Sequence, residues 1–233
     1  MSERTPLVLL PGLLCDRALW QHQIDNLADL AAMSVPDLGL DDSVEAMARR
    51  VLDGAPARFA LAGLSMGGYV AHAIMRVAPE RVARLALIDT SARPDTEEQK
   101  SRRRGLIELA AKGKFKGVTP RLLPLLVHPA RLEDKPLSGA VMDMAERIGK
   151  PAFLRQQKAI MARPDSRPHL PRYRCPTLVA AGRSDALTPI EVNAEMASLI
   201  PGAKWVIIEQ SGHLAPMEQP VATTALMRYW LQV

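Results

Sequence analysis

"AGLSMGGYVAHAIMRVAP", residues 62–79, sets a serine between two glycines and then runs into an apolar, alanine-rich stretch. Gly63-Leu64-Ser65-Met66-Gly67 is a G-x-S-x-G pattern, in which the serine is displayed on a sharp turn from strand to helix. Such a turn strains the backbone at its centre, and side chains two positions to either side would collide there. Gly63 and Gly67 remove both collisions. Upstream, "ARFALAGL" (57–64) reads as a buried strand. Downstream, Val70, Ile74 and Val77 recur at helical spacing, and the run stops at Pro79. The helix N-terminus brings partial positive charge beside the serine, where an oxyanion would form. Competing glycine-rich sites fail on spacing, since the stretch has no G-x-G-x-x-G and no Gly-Lys-Ser/Thr ending to hold a nucleotide phosphate.

A serine hydroxyl is a poor nucleophile unless a base takes its proton and an acid orients that base. Working outward, "TPLVLLPG" (5–12), "AAMSVPD" (31–37), "RVARLALID" (81–89), "CPTLVAAG" (175–182) and "KWVIIE" (204–209) read as further strands. Helices are predicted over "DDSVEAMARRVL" (41–52), over 190–199 and over 220–231. Short apolar runs alternating with helices predict an α/β fold, a mostly parallel sheet with helices on both faces. In such a sheet all strand C-termini share one edge. Asp185 follows the fifth strand in "AAGRSDALTP" and His213 follows the sixth in "IIEQSGHLAP", so both converge on Ser65. Their order, Ser then Asp then His, is the one this architecture uses. Asp89, at the end of the fourth strand, rivals Asp185 as the acid. The other histidines are poorer candidates: His22 and His72 fall in predicted helices, and His128 and His169 stand beside prolines.

Residues 94–172 differ from the rest. They hold helical stretches such as "EEQKSRRRGLIELAAK" (97–112) and "SGAVMDMAERIG" (138–149) but no convincing strand, and read as a helical insertion between two halves of a core, 1–93 and 173–233. From Arg93 to Arg174 the chain carries 19 Lys and Arg against 9 Asp and Glu, a net +10, within a whole chain of net +5. One segment is therefore strongly basic and the remainder acidic.

With 233 residues, 48% of them hydrophobic, the chain can bury one sizeable core. A charged fraction of 24% excludes a disordered or membrane composition. The apolar run Leu7 to Leu14 is broken by Pro11-Gly12 and too short to span a bilayer, and it lacks the marks of a signal peptide. Cys15 and Cys175 lie far apart with no metal-ligand spacing, which predicts two free thiols in a cytoplasmic protein, Cys15 as a small buried filler. The cluster "KSRRR" (100–104) has no recognition motif beside it, so nucleic-acid binding is not expected.

On these residues the chain resembles the α/β-hydrolase superfamily, from Leu7 to the C-terminal helix. The resemblance implies a serine hydrolase that cleaves a carboxylic ester or related small acyl compound through an acyl-enzyme, needing no metal or organic cofactor. "LLPGLLCDRALW" (9–20) is similar to the loop that supplies one oxyanion donor, which assigns the hole to the backbone N–H groups of Leu13 and Met66. Many relatives carry His-Gly where this chain has Pro11-Gly12, but the donor is a backbone group after the glycine. The insertion resembles the superfamily's cap, and Asp89 occupies a position that some relatives use for the acid. Alternatives on the same triad are acyl transfer and cleavage of a carbon–carbon or peptide bond. A further one is a ligand receptor that retains the triad and turns over slowly. Basic helix faces ordinarily serve solubility. Beside that stands a sharper reading, in which the cap attracts a substrate with an anionic handle: a carboxylate, a phosphate or an acidic carrier.

Overall fold

A computed structural model of the protein describes residues 4–233. Six strands, β1 (Thr5–Leu10), β2 (Ala31–Ser34), β3 (Phe59–Leu64), β4 (Val82–Ile88), β5 (Thr177–Gly182) and β6 (Lys204–Ile208), form one sheet in the order β2-β1-β3-β4-β5-β6. Every pairing is parallel. Each strand is one to three residues shorter than its apolar run, because the prolines and polar residues at its ends leave the ladder.

Side chains alternate across the sheet and so build two cores. Val8, Leu10, Phe59 and Leu61 face one side, against α2 (Val44–Gly54), α3 (Met66–Val77) and Met196 of α6 (Ile190–Leu199). Leu7, Leu9, Ala60, Ala62 and Leu64 face the other, against Met227 and Trp230 of α8 (Pro220–Gln232). A short α1 (Gln21–Asn26) packs on α8. All six residues of β3 and all six of β5 are buried, which is why these strands read as unbroken apolar runs rather than alternating ones. Each large aliphatic side chain so buried contributes about 1.5–3 kcal/mol.

The strand order reverses between β1 and β3, and the crevice outside the C-termini at such a reversal is where open α/β sheets place their sites. The Pro11–Leu14 turn leaves β1 there, and Ser65 leaves β3 beside it.

Between β4 and β5 the described residues hold no strand but two long helices, α4 (Glu97–Leu109) and α5 (Lys135–Ala162). Thr96 and Gln99 form a reciprocal capping box at the start of α4, and Asp134 caps α5. The stretch 138–149, which reads as a helix ending at Gly149, forms the first segment of α5. Gly149, at φ 74° and ψ 173°, is non-helical and interrupts the element, and a second helical segment follows through Pro151, so α5 is two helices joined at a kink. Asp95, on the way into α4, ties the two ends of this connection together. Its buried carboxylate accepts from Arg103 Nε and from Arg163 Nη1, both at 2.7 Å.

His72 of α3 is buried with its Nδ1 2.9 Å from the Tyr173 hydroxyl. Burial, reinforced by the charges of Arg76 and Arg163, pushes it down from 6.5 to about 3. Over that interval the unfolded chain binds a proton that the folded one refuses, so stability falls as pH drops, with a slope approaching about 1.4 kcal/mol per pH unit. Equilibrium urea unfolding at stepped pH is expected to show this contribution in the wild type and its loss in His72→Gln. Identical pH slopes in the two proteins would contradict it.

Candidate active site

Ser65 sits between β3 and α3 with φ 53° and ψ −116°, a conformation a non-glycine residue adopts only under constraint. The constraint is visible. The Ser65 N–H donates to the Ile88 carbonyl at 3.1 Å, and the Ser65 carbonyl accepts from Thr90 Oγ1 at 2.7 Å. A Cβ on Gly63 would lie 2.5 Å from the Gly67 carbonyl oxygen, and one on Gly67 would collide with the Leu10 carbonyl. Both glycines of the motif are therefore required by close backbone approach.

Three side chains from three strand ends meet here. Ser65 Oγ lies 2.8 Å from His213 Nε2, and His213 Nδ1 lies 2.8 and 2.9 Å from the two oxygens of Asp185. An ionised carboxylate only accepts, so Nδ1 carries the proton and Nε2 is left free to accept from the serine hydroxyl. Burial works to raise the Asp185 carboxyl. The His213 imidazole beside it, with hydrogen bonds from His213 and Thr188, outweighs this and holds the group below its ordinary value. The Thr188 hydroxyl (2.6 Å) and the Leu187 and Thr188 amides complete its shell.

Asp89 takes no part in that chain. Its backbone turns through φ 45°, and its carboxylate accepts from the Gly182 N–H at 2.7 Å and the Ala215 N–H at 3.3 Å. Burial, with the Asp185 charge nearby, pushes this carboxyl well above the usual range. Asp89 thus braces the loops that carry Asp185 and His213.

The Gly12–Cys15 turn lies against the Ser65 turn, since a Cβ on Gly12 would stand 3.4 Å from Ser65 Cβ. Neither the Leu13 nor the Met66 amide has an acceptor among the described residues. Leu14 takes φ 58°, and its N–H donates to Gln156 Oε1 of α5 at 3.1 Å. Cys15 is buried, and burial followed by the neighbouring Asp16 charge pushes its thiol up to about 12, so it packs rather than reacts. A cavity of about 400 Å³ opens beside this turn, between α5 and the loops after β1 and β2. Pro11, Cys15, Leu38 and Arg155 line it; Ser65 and His213 do not.

A family model described as the alpha/beta hydrolase family matches residues 7–226. The chain belongs to this family. Among its relatives, the pimeloyl-acyl-carrier-protein methyl ester esterase of Vibrio campbellii is 27% identical over 236 residues, covering 89% of this chain and 87% of its own. The solved structure of a thermophilic esterase from Thermogutta terrifontis, with malate bound, is similar at a TM-score of 0.90 and 35% identity, over 98% of this chain and 89% of that one. An enol-lactonase from Burkholderia xenovorans LB400 shares the α/β-hydrolase fold at a TM-score of 0.88 and 24% identity, over 100% and 93% of the two chains.

Two polar residues of this α/β hydrolase escape a motif reading. Gln156 is buried on α5, where Ala152, Phe153, Ala159 and Ile160 mark the apolar stripe. A polar residue inside such a stripe is the signal that could have found it. Glu218, five positions after His213, is buried with its carboxylate on backbone amides. Among the described residues, no helix is long and apolar enough to cross a membrane.

Proposed function

We propose that the protein is a serine hydrolase of carboxylic esters in which Ser65 is the nucleophile, His213 the base and Asp185 the residue that orients His213. The Ser65–His213–Asp185 hydrogen-bond chain carries this reading. His213 Nε2 takes the hydroxyl proton as Ser65 Oγ attacks the ester carbonyl. The Leu13 and Met66 N–H groups hold the tetrahedral oxyanion. Collapse breaks the bond to the leaving oxygen, which takes that proton from His213 and departs as the alcohol, and leaves an acyl-serine. His213 then deprotonates a water, which attacks the acyl carbon; the bond to Ser65 Oγ breaks, the acid is released, and His213 returns the proton to Ser65 Oγ. Asp185 keeps its negative charge throughout and stabilises the imidazolium.

On this reading residues 94–172 are a cap that shapes the acyl pocket. The two free cysteines, Cys15 and Cys175, suit a reducing compartment and support a cytoplasmic enzyme. For the substrate we favour an acyl group on an acidic carrier or bearing an anionic handle. Helix α4 buries none of its residues, exposing Leu106 and Leu109 alongside Arg102 and Arg104. Lys112, Lys116 and Arg121 are also exposed. The Vibrio campbellii relative is named for a methyl ester of an acyl group on an acyl-carrier protein. Arg103 does not belong to this surface, being engaged by Asp95.

The test compares matched esters, one neutral and one with a distal carboxylate, across ionic strength. Attraction between exposed charges is screened over about 8–10 Å at moderate salt. For the anionic ester kcat/KM is expected to fall by about tenfold as salt rises, and a double charge reversal, Arg102→Glu with Arg104→Glu, to flatten that dependence. Equal salt responses for the two esters would remove the basic surface from substrate choice.

A further inference from the structure

Four consecutive backbone amides around His213 are each held by a group from elsewhere in the chain. The N–H groups of Gly212 and Leu214 donate to Glu218 Oε1 at 2.9 and 3.1 Å. The His213 N–H donates to the Leu126 carbonyl at 3.0 Å, and the Ala215 N–H to Asp89. The second oxygen of Glu218 accepts from the His128 N–H at 2.6 Å, and the Glu218 carbonyl accepts from Arg131 Nη1 at 2.6 Å. Leu126, His128 and Arg131 all belong to the connection between β4 and β5.

One carboxylate therefore grips the amides of both residues flanking the base and, with its other oxygen, a segment of the connection that passes over them. Glu218 is fully buried, in the short helix α7 (Ala215–Glu218). The loop from Glu209 to Leu214 lies between β6 and α7 with no regular structure of its own to fix it. From this geometry we infer that Glu218 is a positioning residue for His213, holding the imidazole at hydrogen-bond distance from Ser65 and locking the Leu126–Arg131 segment onto the loop that carries the base. This role rests on the reading of Ser65 and His213 as nucleophile and base.

The chemistry of the three contacts supplies the test. Every Glu218 contact at the carboxylate is an accepting one, and an amide of the same shape has only one accepting oxygen. In Glu218→Gln either the Gly212 and Leu214 amides or the His128 amide must face an NH2 donor, so the loop loosens with side-chain volume unchanged. A misplacement of the base on the order of 1 Å costs about 10² in rate.

The experiment treats wild type, Glu218→Gln and Glu218→Asp with a fluorophosphonate, reading both the rate constant of adduct formation and the final number of adducts per folded chain. Glu218→Gln is expected to reach the wild-type end-point of one adduct per folded chain about 10² more slowly. Its kcat for an activated ester is expected to fall in parallel, with KM unchanged. Glu218→Asp, which keeps the accepting carboxylate one methylene short, is expected to slow less, and it provides a second protein to measure should the glutamine variant not fold. A merely structural residue would reduce the folded fraction, leaving the rate constant of what remains intact. Wild-type rate constants in every variant that folds would overturn the positioning role. A wild type that takes no adduct would instead overturn the serine-hydrolase reading, and the role of Glu218 with it.

Discussion

Ser65→Ala is expected to lower kcat for an activated ester by on the order of 10⁶, the loss measured when a nucleophile that acts as a unit with its base is removed. The variant should remain folded, because what holds residue 65 in place is backbone. Its N–H donor to Ile88 and its carbonyl acceptor for Thr90 both survive the change. Alanine also keeps the Cβ, so the positive φ costs it no more than it costs serine. Circular dichroism and thermal unfolding check the fold, and kcat with an activated ester checks the chemistry. A folded alanine variant retaining more than about a hundredth of wild-type kcat would place the nucleophile elsewhere, given the size of the expected loss.

The next largest effect separates the two buried aspartates. Asp185→Asn is expected to lower kcat by on the order of 10⁴, because an amide opposite Nδ1 favours the imidazole tautomer with its proton on the wrong nitrogen. The asparagine oxygen can still accept from the Leu187 and Thr188 amides, so the loop keeps its shape. Asp89→Asn should do far less, since Asp89 touches the Gly182 and Ala215 amides and not the imidazole. Steady-state kinetics on both variants decides the matter, and a larger loss in the Asp89 variant would reverse the assignment.

The fold and the three converging side chains were legible because each rests on a local constraint. Gly63 and Gly67 announce the turn through the crowding they relieve. Ser65, Asp185 and His213 each follow an apolar run, and a parallel sheet sends all such ends to one edge. Asp185 is the preferred acid in the sequence, but position alone leaves Asp89 standing as its rival, since both follow strands that end side by side. The contact of Asp185 with His213, and the positive φ of Asp89 that turns its carboxylate onto backbone amides instead, distinguish them. Gln156 and Glu218 act on residues as distant as Leu14 and His128, and no periodicity in the chain encodes such pairings. Glycine followed shortly by proline ordinarily ends a helix, and the helix is broken at Gly149, but the second helical segment that follows through Pro151 was hidden. The run Arg102-Arg103-Arg104 read as one basic cluster; the fold divides it, since Arg103 turns inward to the buried Asp95 while Arg102 and Arg104 stay exposed.

The central claim, that Ser65 is an activated nucleophile, is tested most directly by intact mass spectrometry of the folded protein after treatment with a fluorophosphonate. The expected result is a single adduct per chain, located on the peptide containing Ser65 and absent from Ser65→Ala. A correctly folded wild type that takes up no adduct, or one that carries it on a residue other than Ser65, would contradict the claim.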